Sequence, residues 1–253
     1  MHVSGKDTDI YLGDCLDILP TLTQTAHLIL TDLPYAQTAN RWDVAINLSR
    51  LWDCYYRISF HNSVYVLTAI QPFAASLICS NKELFRHEWI WLKNRGSGHM
   101  NDHIMPRREH ENILVFSRGG YTFNPIKEER LNKVAEKIRQ RFAGKTSNWG
   151  AVQEIITETT TELRTACSYQ CFSVETGLHP TQKPIAMMEY FIKTYSNPGD
   201  TVLDNCMGSG TTGIAAQNTG RKFIGIEKEK KYFDIARKEL FNDRPSTEYP
   251  FPT

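Results

Sequence analysis

No stretch of this 253-residue chain approaches the ~20 consecutive apolar residues that a bilayer-crossing helix needs, so no membrane partner is expected. The opening segment, 1–14, is polar and mixed and lacks the charged-then-apolar order of a targeting signal. The six cysteines (Cys15, Cys54, Cys79, Cys167, Cys171 and Cys206) have none of the paired short spacings of a structural zinc site. Reduced thiols are expected there, and no disulfide. His99 and His103 flank Asn101 and Asp102 without a second ligand cluster, which argues against a metal. Internal repeats and low-complexity tracts are also absent, which excludes solenoids and disordered tails.

An excess of either charge is lacking as well, since 29 Lys and Arg face 28 Asp and Glu. The balance is uneven along the chain. Residues 1–81 carry four basic against seven acidic side chains, 82–145 carry fourteen against eight, and 146–253 carry eleven against thirteen. A basic middle between acidic flanks can hold a polyanion through phosphate contacts. A solvated, charge-rich helix around 128–141 explains the same counts.

What is present is a succession of short apolar runs alternating with amphipathic stretches, the pattern of β-α units feeding a mostly parallel sheet. Strands are predicted at 9–12, 27–31, 63–68, 88–92, 113–116, 201–203 and 223–226. Helices are predicted at 48–58, 72–79, 185–195, 211–218 and 229–241, the last burying Tyr232, Phe233, Ala236 and Leu240 on one face. Residues 119–178 differ, being polar and rich in Lys, Arg, Thr and Glu, with a helix expected near 132–141. So long a segment within a compact fold is an insertion with its own task, here a candidate substrate-reading element.

Two constellations carry chemistry. In the first, 201–212, a strand ends at Asp204, a turn holds Gly208, Ser209 and Gly210, and a helix starts at Thr211 and Thr212. Glycines let a ligand approach the backbone, and the new helix offers free N–H groups to an anion. A nucleotide-like cofactor fits, as does a purely structural tight turn. Glu227, at the end of the next predicted strand, favours the cofactor, because an acid there can accept from both hydroxyls of a ribose.

The second constellation is Asp32-Leu33-Pro34-Tyr35, directly after an apolar strand. An exocyclic amine is a poor nucleophile because its lone pair is delocalised into the base. A site that alkylates it needs acceptors for its hydrogens and a flat surface for the ring. The Asp32 carboxylate and the Pro34 carbonyl supply acceptors, and Tyr35 supplies a face on which an extruded base can stack. Alone, the tetrapeptide is equally compatible with a β-turn.

Taken together, these motifs resemble the beta class of S-adenosylmethionine-dependent DNA amino-methyltransferases, in which an Asp-Pro-Pro-Tyr motif comes first, a target-recognition segment next and a Gly-rich motif last. Tyr11-Leu12-Gly13-Asp14-Cys15 resembles the motif that contacts the cofactor's adenine. Residues 108–116, Arg-Glu-His-Glu-Asn-Ile-Leu-Val-Phe, resemble the motif near the target base, and 179–184, His-Pro-Thr-Gln-Lys-Pro, the segment that holds the cofactor's methionine end. Two departures stand out: Leu33 replaces the second motif residue, and Asn205-Cys206-Met207 follows Asp204 where Pro-Phe is common.

The resemblance implies a doubly wound, mostly parallel, seven-stranded Rossmann-like sheet with circularly permuted motif order. Its parts would be a catalytic half, 1–118, a target-recognition insertion, 119–178, and a cofactor-binding half, 179–253. It implies catalysis by Asp32, Pro34 and Tyr35. S-adenosylmethionine would be held by Asp14, Cys15, Asp32, Thr181, Lys183, Asp204, Cys206, Gly208, Ser209, Gly210, Thr211, Thr212 and Glu227. Double-stranded DNA would contact Arg107, Arg108, His110, Lys127, Arg130, Lys133, Lys137, Arg139, Arg141 and Lys145. No metal is implied. An Asp at the first motif position is associated with adenine N6 in this family, with cytosine N4 and a catalytically silent DNA-binding module as the alternatives. The expected compartment is the cytoplasm of a bacterial or phage-infected bacterial cell, and a second copy of the chain is a candidate partner.

Overall fold

The computed structural model describes residues 1–35, 44–97, 103–129, 139–146, 150–158, 163–175 and 182–241. The chain opens with β1 (His2–Ser4) and β2 (Thr8–Leu12), a short helix α1 (Cys15–Ile18), and β3 (Ala26–Asp32). It continues through α2 (Leu48–Ile58), β4 (Ser59–Ala69), α3 (Phe73–Ser80), β5 (Phe85–Ser97) and β6 (Arg108–Ser117). Four strands follow in a separate unit: β7 (Lys127–Glu129), β8 (Arg139–Thr146), β9 (Gly150–Glu158) and β10 (Leu163–Thr165). The chain then forms β11 (Tyr169–Phe172), α4 (Ile185–Tyr195), β12 (Thr201–Asp204), α5 (Thr211–Asn218), β13 (Lys222–Glu227) and α6 (Lys230–Phe241).

The larger of two compact units comprises Met1–Asn124 and Ser168–Thr253. Its sheet has nine strands, in the order β1-β2-β13-β12-β3-β4-β6-β5-β11. The seven inner strands are those expected from the apolar runs, and the additions are at the edges. β1 is a three-residue antiparallel flank on β2, and β11 lies parallel to β5. Neither edge strand has the continuous apolar character that marks an inner parallel strand, which is why periodicity alone misses them. The run β2-β13-β12-β3-β4 is parallel, so Leu12, Glu227, Asp204 and Asp32 emerge at one carboxyl edge.

β3 illustrates why these residues make an inner strand. Leu28, Ile29 and Leu30 are all fully buried, which requires apolar contacts on both faces of the sheet. Ile29, Leu67, Leu203 and Ile224 pack with Leu51, Trp52, Tyr55 and Leu77 of α2 and α3 on one side. On α2 the buried Leu51, Trp52, Tyr55 and Ile58 follow helical spacing, and Asn47 caps the helix by accepting from the Arg50 N–H at 3.0 Å. The chain runs from β12 through α5 to β13 on one side of β3, and from β3 through α2 to β4 on the other. The crossing directions therefore reverse between β12 and β3, where ligands of open α/β sheets bind.

The smaller unit, Pro125–Cys167, is built of antiparallel pairs, β7 with β10 and β8 with β9. Arg139 and Arg141, expected near the end of a helix, stand in β8 instead; positions 132–138 of that expectation lie outside the described residues. The partner strand β9 carries Val152, Ile155, Ile156 and Thr157, β-branched residues that favour a pleated ladder over a helix. No described helix is long and apolar enough to cross a membrane.

Candidate functional site

A cavity of about 810 Å³ opens at the carboxyl edge, and both sequence constellations line it. Asp32, Leu33, Pro34 and Tyr35 form one wall, and Asp204, Cys206, Met207, Gly208, Ser209, Thr211 and Thr212 form another. They meet because β3 and β12 are adjacent and parallel, with Val202 beside Leu28 and Leu203 beside Ile29.

Asp32 is the most heavily engaged group of the first wall. Its Oδ1 accepts from the Tyr35 hydroxyl at 2.5 Å and from the hydroxyl of Thr68, its neighbour across the β3–β4 ladder. Its Oδ2 accepts from the Lys183 ammonium at 2.6 Å. Lys183 is buried and also lies 3.3 Å from Glu111 Oε2, while Lys93 bonds the other oxygen of Glu111. Burial alone would lower the Lys183 pKa, but the charges of Asp32 and Glu111 outweigh it and raise the value. Burial and the same two carboxylates push the Tyr35 hydroxyl well above its usual range, so it remains a donor. The Tyr35 ring rests 5.5 Å from Phe73, and the Lys183 ammonium sits 5.9 Å above it. Leu33, the departure from the family pattern, is buried and packs into the core beneath the turn.

The second wall is held by two buried acids. Asp204 accepts from the hydroxyls of Thr31 at 2.7 Å and Thr212 at 2.6 Å, and from the Cys206 N–H at 3.0 Å. Burial nevertheless dominates and pushes its pKa up to about 6. Glu227 accepts from the Gly208 N–H at 2.9 Å and the Glu229 N–H at 2.7 Å, one on each oxygen, and burial raises its pKa as well. Each of its oxygens retains a second acceptor position. Gly208 and Gly210 adopt φ of +53° and +87°, in the left-handed region that favours glycine, and Gly210 caps α5. The departing residues are absorbed locally. Asn205 is buried and accepts from the Tyr55 hydroxyl at 2.6 Å, and its amide donates to the Cys206 sulfur at 3.4 Å.

Asp14, Cys15, Lys183 and Glu227 also line the cavity, alongside Arg108 at its rim. Lys183, expected at a cofactor carboxylate, pairs here with Asp32 and Glu111. Asp14 caps α1 by accepting from the Leu16 N–H and forms an ion pair with Lys228 at 3.0 Å. Gly210 shapes the turn without reaching the cavity lining. Thr181, Arg130, Lys133 and Lys137 lie outside the described residues. Arg107, Arg108 and His110 are exposed at the start of β6, Lys127 is exposed on β7, and Arg139, Arg141 and Lys145 stand in β8. Tyr232, expected in the core, instead joins the cavity wall, whereas Phe233 and Ala236 are buried. Sequence reasoning missed Thr68 and Lys93, and gave Glu111 no role beyond its place in the 108–116 motif. Thr68 and Lys93 belong to no motif, and only folding brings them to Asp32 and Glu111.

A family model described as DNA methylase matches residues 26–238. The Type II methyltransferase M2.DpnII of Streptococcus pneumoniae is 53% identical over 64 residues, a match that spans 25% of this chain and only 24% of that relative. The Type II methyltransferase M.HpaI of Haemophilus parainfluenzae is 27% identical over 250 residues, covering 92% of this chain and 74% of the relative. Among solved structures, an M1.HpyAVI–SAM complex superposes with a TM-score of 0.62 at 26% identity, covering 92% of this chain and 100% of that one.

Proposed function

The chain belongs to the DNA methylase family of N6 and N4 amino-methyltransferases, and from that premise we propose that it methylates N6 of adenine in double-stranded DNA, at a specific sequence and after extruding the base. The observation that carries this reading is the shared cavity: the Asp32 turn and the Gly208–Gly210 turn face one space. Asp32 at the first motif position, where a serine accompanies cytosine N4, favours adenine.

The residues present fit S-adenosylmethionine. Glu227 retains acceptor capacity on both oxygens for two ribose hydroxyls, and the glycine turn leaves its backbone open to close approach. Asp14, Cys15, Thr211 and Thr212 line the same cavity. When bound, the cofactor supplies an activated sulfonium methyl.

The chain's own residues do the positioning. Asp32 Oδ1 is filled by Tyr35 and Thr68, so Oδ2, which among the described residues holds only Lys183, keeps one acceptor position for an N–H of the target amine. The Pro34 carbonyl takes the second hydrogen, and the Tyr35 ring stacks on the base. Holding the nitrogen in line with the methyl supplies most of the acceleration. The exposed Arg107, Arg108 and Lys127 and the strands of the insertion contact phosphates, and a few of their side chains read bases. On this reading 1–118 is the catalytic half, 119–178 the target-recognition element and 179–253 the cofactor half.

Expression in a methylation-free bacterial host, followed by single-molecule sequencing and nucleoside mass spectrometry, tests the proposal. N6-methyladenine at one recurring sequence is expected. N4-methylcytosine would overturn the adenine assignment, and unmodified DNA would overturn the enzymatic one.

A further inference from the structure

Four buried or half-buried charges cross the floor of the cavity in alternating order: Asp32, Lys183, Glu111 and Lys93. They come from β3, the segment before α4, β6 and β5, and Glu111 faces Trp91 across the β5–β6 ladder. The amine-binding chemistry uses only Asp32. Glu111 is 8% exposed and is too deeply placed to be a solvated surface acid.

The row matters because of where charge moves. As the target nitrogen bonds to the methyl group and the sulfur–methyl bond breaks, the nitrogen takes up the positive charge that the sulfur loses, then releases one N–H proton to water. A carboxylate beside that nitrogen stabilises the developing charge, but Asp32 is bonded to an ammonium at 2.6 Å. A lone Asp32–Lys183 pair would be net neutral and would present little field to the amine. Glu111 Oε2, buried and with no hydrogen-bond partner among the described residues, lies 3.3 Å from the same ammonium, so the charge of Lys183 faces two carboxylates while its hydrogen bond goes to Asp32.

We propose that Glu111 is a positioning residue for methyl transfer, its charge offsetting that of Lys183 so that the Asp32 carboxylate still acts on the nitrogen as it becomes cationic. This rests on the reading of Asp32 as acceptor for the target amine. Lys93 bonds the second oxygen of Glu111 and is held over the Trp91 ring at 5.0 Å, which fixes the acid in place. A group stabilising charge that exists only in the transition state acts on the chemical step and leaves binding unchanged.

The test is single-turnover methyl transfer from tritiated cofactor, with cofactor and DNA affinities measured by calorimetry, in wild type, Glu111→Gln and Glu111→Asp. Glu111→Gln keeps the shape and removes the charge. Its rate should fall about ten- to a hundredfold, with both affinities within about twofold of wild type on the same grounds. Glu111→Asp keeps the charge and should recover part of the loss; this variant carries the test if Glu111→Gln fails to fold, and a wild-type rate in it would then overturn the inference. Equal losses in the two variants, an unchanged rate in Glu111→Gln, or a loss expressed only in affinity would overturn it while leaving the adenine assignment standing. A wild-type chain that transfers no methyl would overturn that assignment and this inference with it.

Discussion

Lys183 and Asp32 are separated by 151 positions in the sequence, yet their Nζ and Oδ2 atoms are 2.6 Å apart at the floor of the cavity. The contact ties the segment before α4 to the end of β3 at the site itself. It also means that the carboxylate is already oriented before any base arrives, so the cost of organising it is met by folding.

Removing that cation should be costly. Lys183→Met would leave Asp32 and Glu111 facing one another in a poorly solvated space. Breaking a buried pair in this way typically costs about 3–5 kcal/mol, read by urea unfolding at pH 7. The sign with pH is defined. In the wild type the folded Lys183 pKa is raised, so its contribution is complete below the ordinary lysine value and is lost as pH rises through the folded one. A variant as stable as wild type at pH 7 would remove the ion pair from the list of forces holding the site.

Asp204 should make the fold less stable as pH rises across a defined window. Its folded pKa is raised from 3.8 to about 6, so between those values the native state binds more protons than the unfolded chain and stability falls with increasing pH. The penalty is complete above pH 6 and amounts to roughly 3 kcal/mol. Asp204→Asn should flatten that slope in unfolding measurements from pH 4 to 8. An unchanged slope would assign the pH dependence elsewhere.

Gly210 is expected to resist substitution. At φ +87° an L side chain is strained, and an added Cβ would lie 3.1 Å from the Ala236 Cβ of α6. Strain and overpacking together should cost about 1–3 kcal/mol in Gly210→Ala, with cofactor affinity reduced because the cap of α5 shifts. Calorimetric binding and thermal melting report the two effects separately, and wild-type values in both would show that the turn tolerates a side chain.

Cys15 and Cys206 both line the cavity, and a hydrogen bond from Cys206 lowers the Cys15 pKa against the opposing effect of burial. Cys79 and Cys171 are exposed. With N-ethylmaleimide, the exposed pair should label without loss of activity. Labelling of Cys15 or Cys206 should inactivate, and saturating cofactor should slow it. Mass spectrometry of the labelled chain reads each site, and identical cavity labelling with and without cofactor would place these thiols away from it.

Much of this was legible from the sequence. The inner strands and the helices α2, α4 and α6 follow from apolar runs and periodicity, α5 follows from the strand-turn-helix pattern because its first six residues are all buried, and the two motif loops converge as that pattern requires. The edge strands β1 and β11 were not, because a strand with one neighbour needs no continuous apolar run. The partners of Asp32 were only half legible. Lys183 is visible as a cation near the site, but its pairing with Glu111 comes from the packing of the segment before α4 against β6, and the contact of Thr68 with Asp32 from strand register, neither of which short motifs encode.

Tyr35 combines two roles that substitution can separate. Its ring is the surface proposed for the base, while its hydroxyl donates to Asp32 at 2.5 Å and lies 3.0 Å from the Thr68 hydroxyl. Tyr35→Phe retains the ring and removes one of the two donors to Oδ1, so Asp32 gains rotational freedom and an acceptor position that competes with Oδ2 for the amine. Its transfer rate should fall about tenfold, with base extrusion, followed by 2-aminopurine fluorescence at the target, preserved. Tyr35→Ala removes the stacking face as well, which is worth about 1–3 kcal/mol per base, and should lose both the extrusion signal and nearly all transfer. If the two variants behaved alike, the hydroxyl would be the only part of Tyr35 that matters, and the base would have to be held by another surface of the cavity.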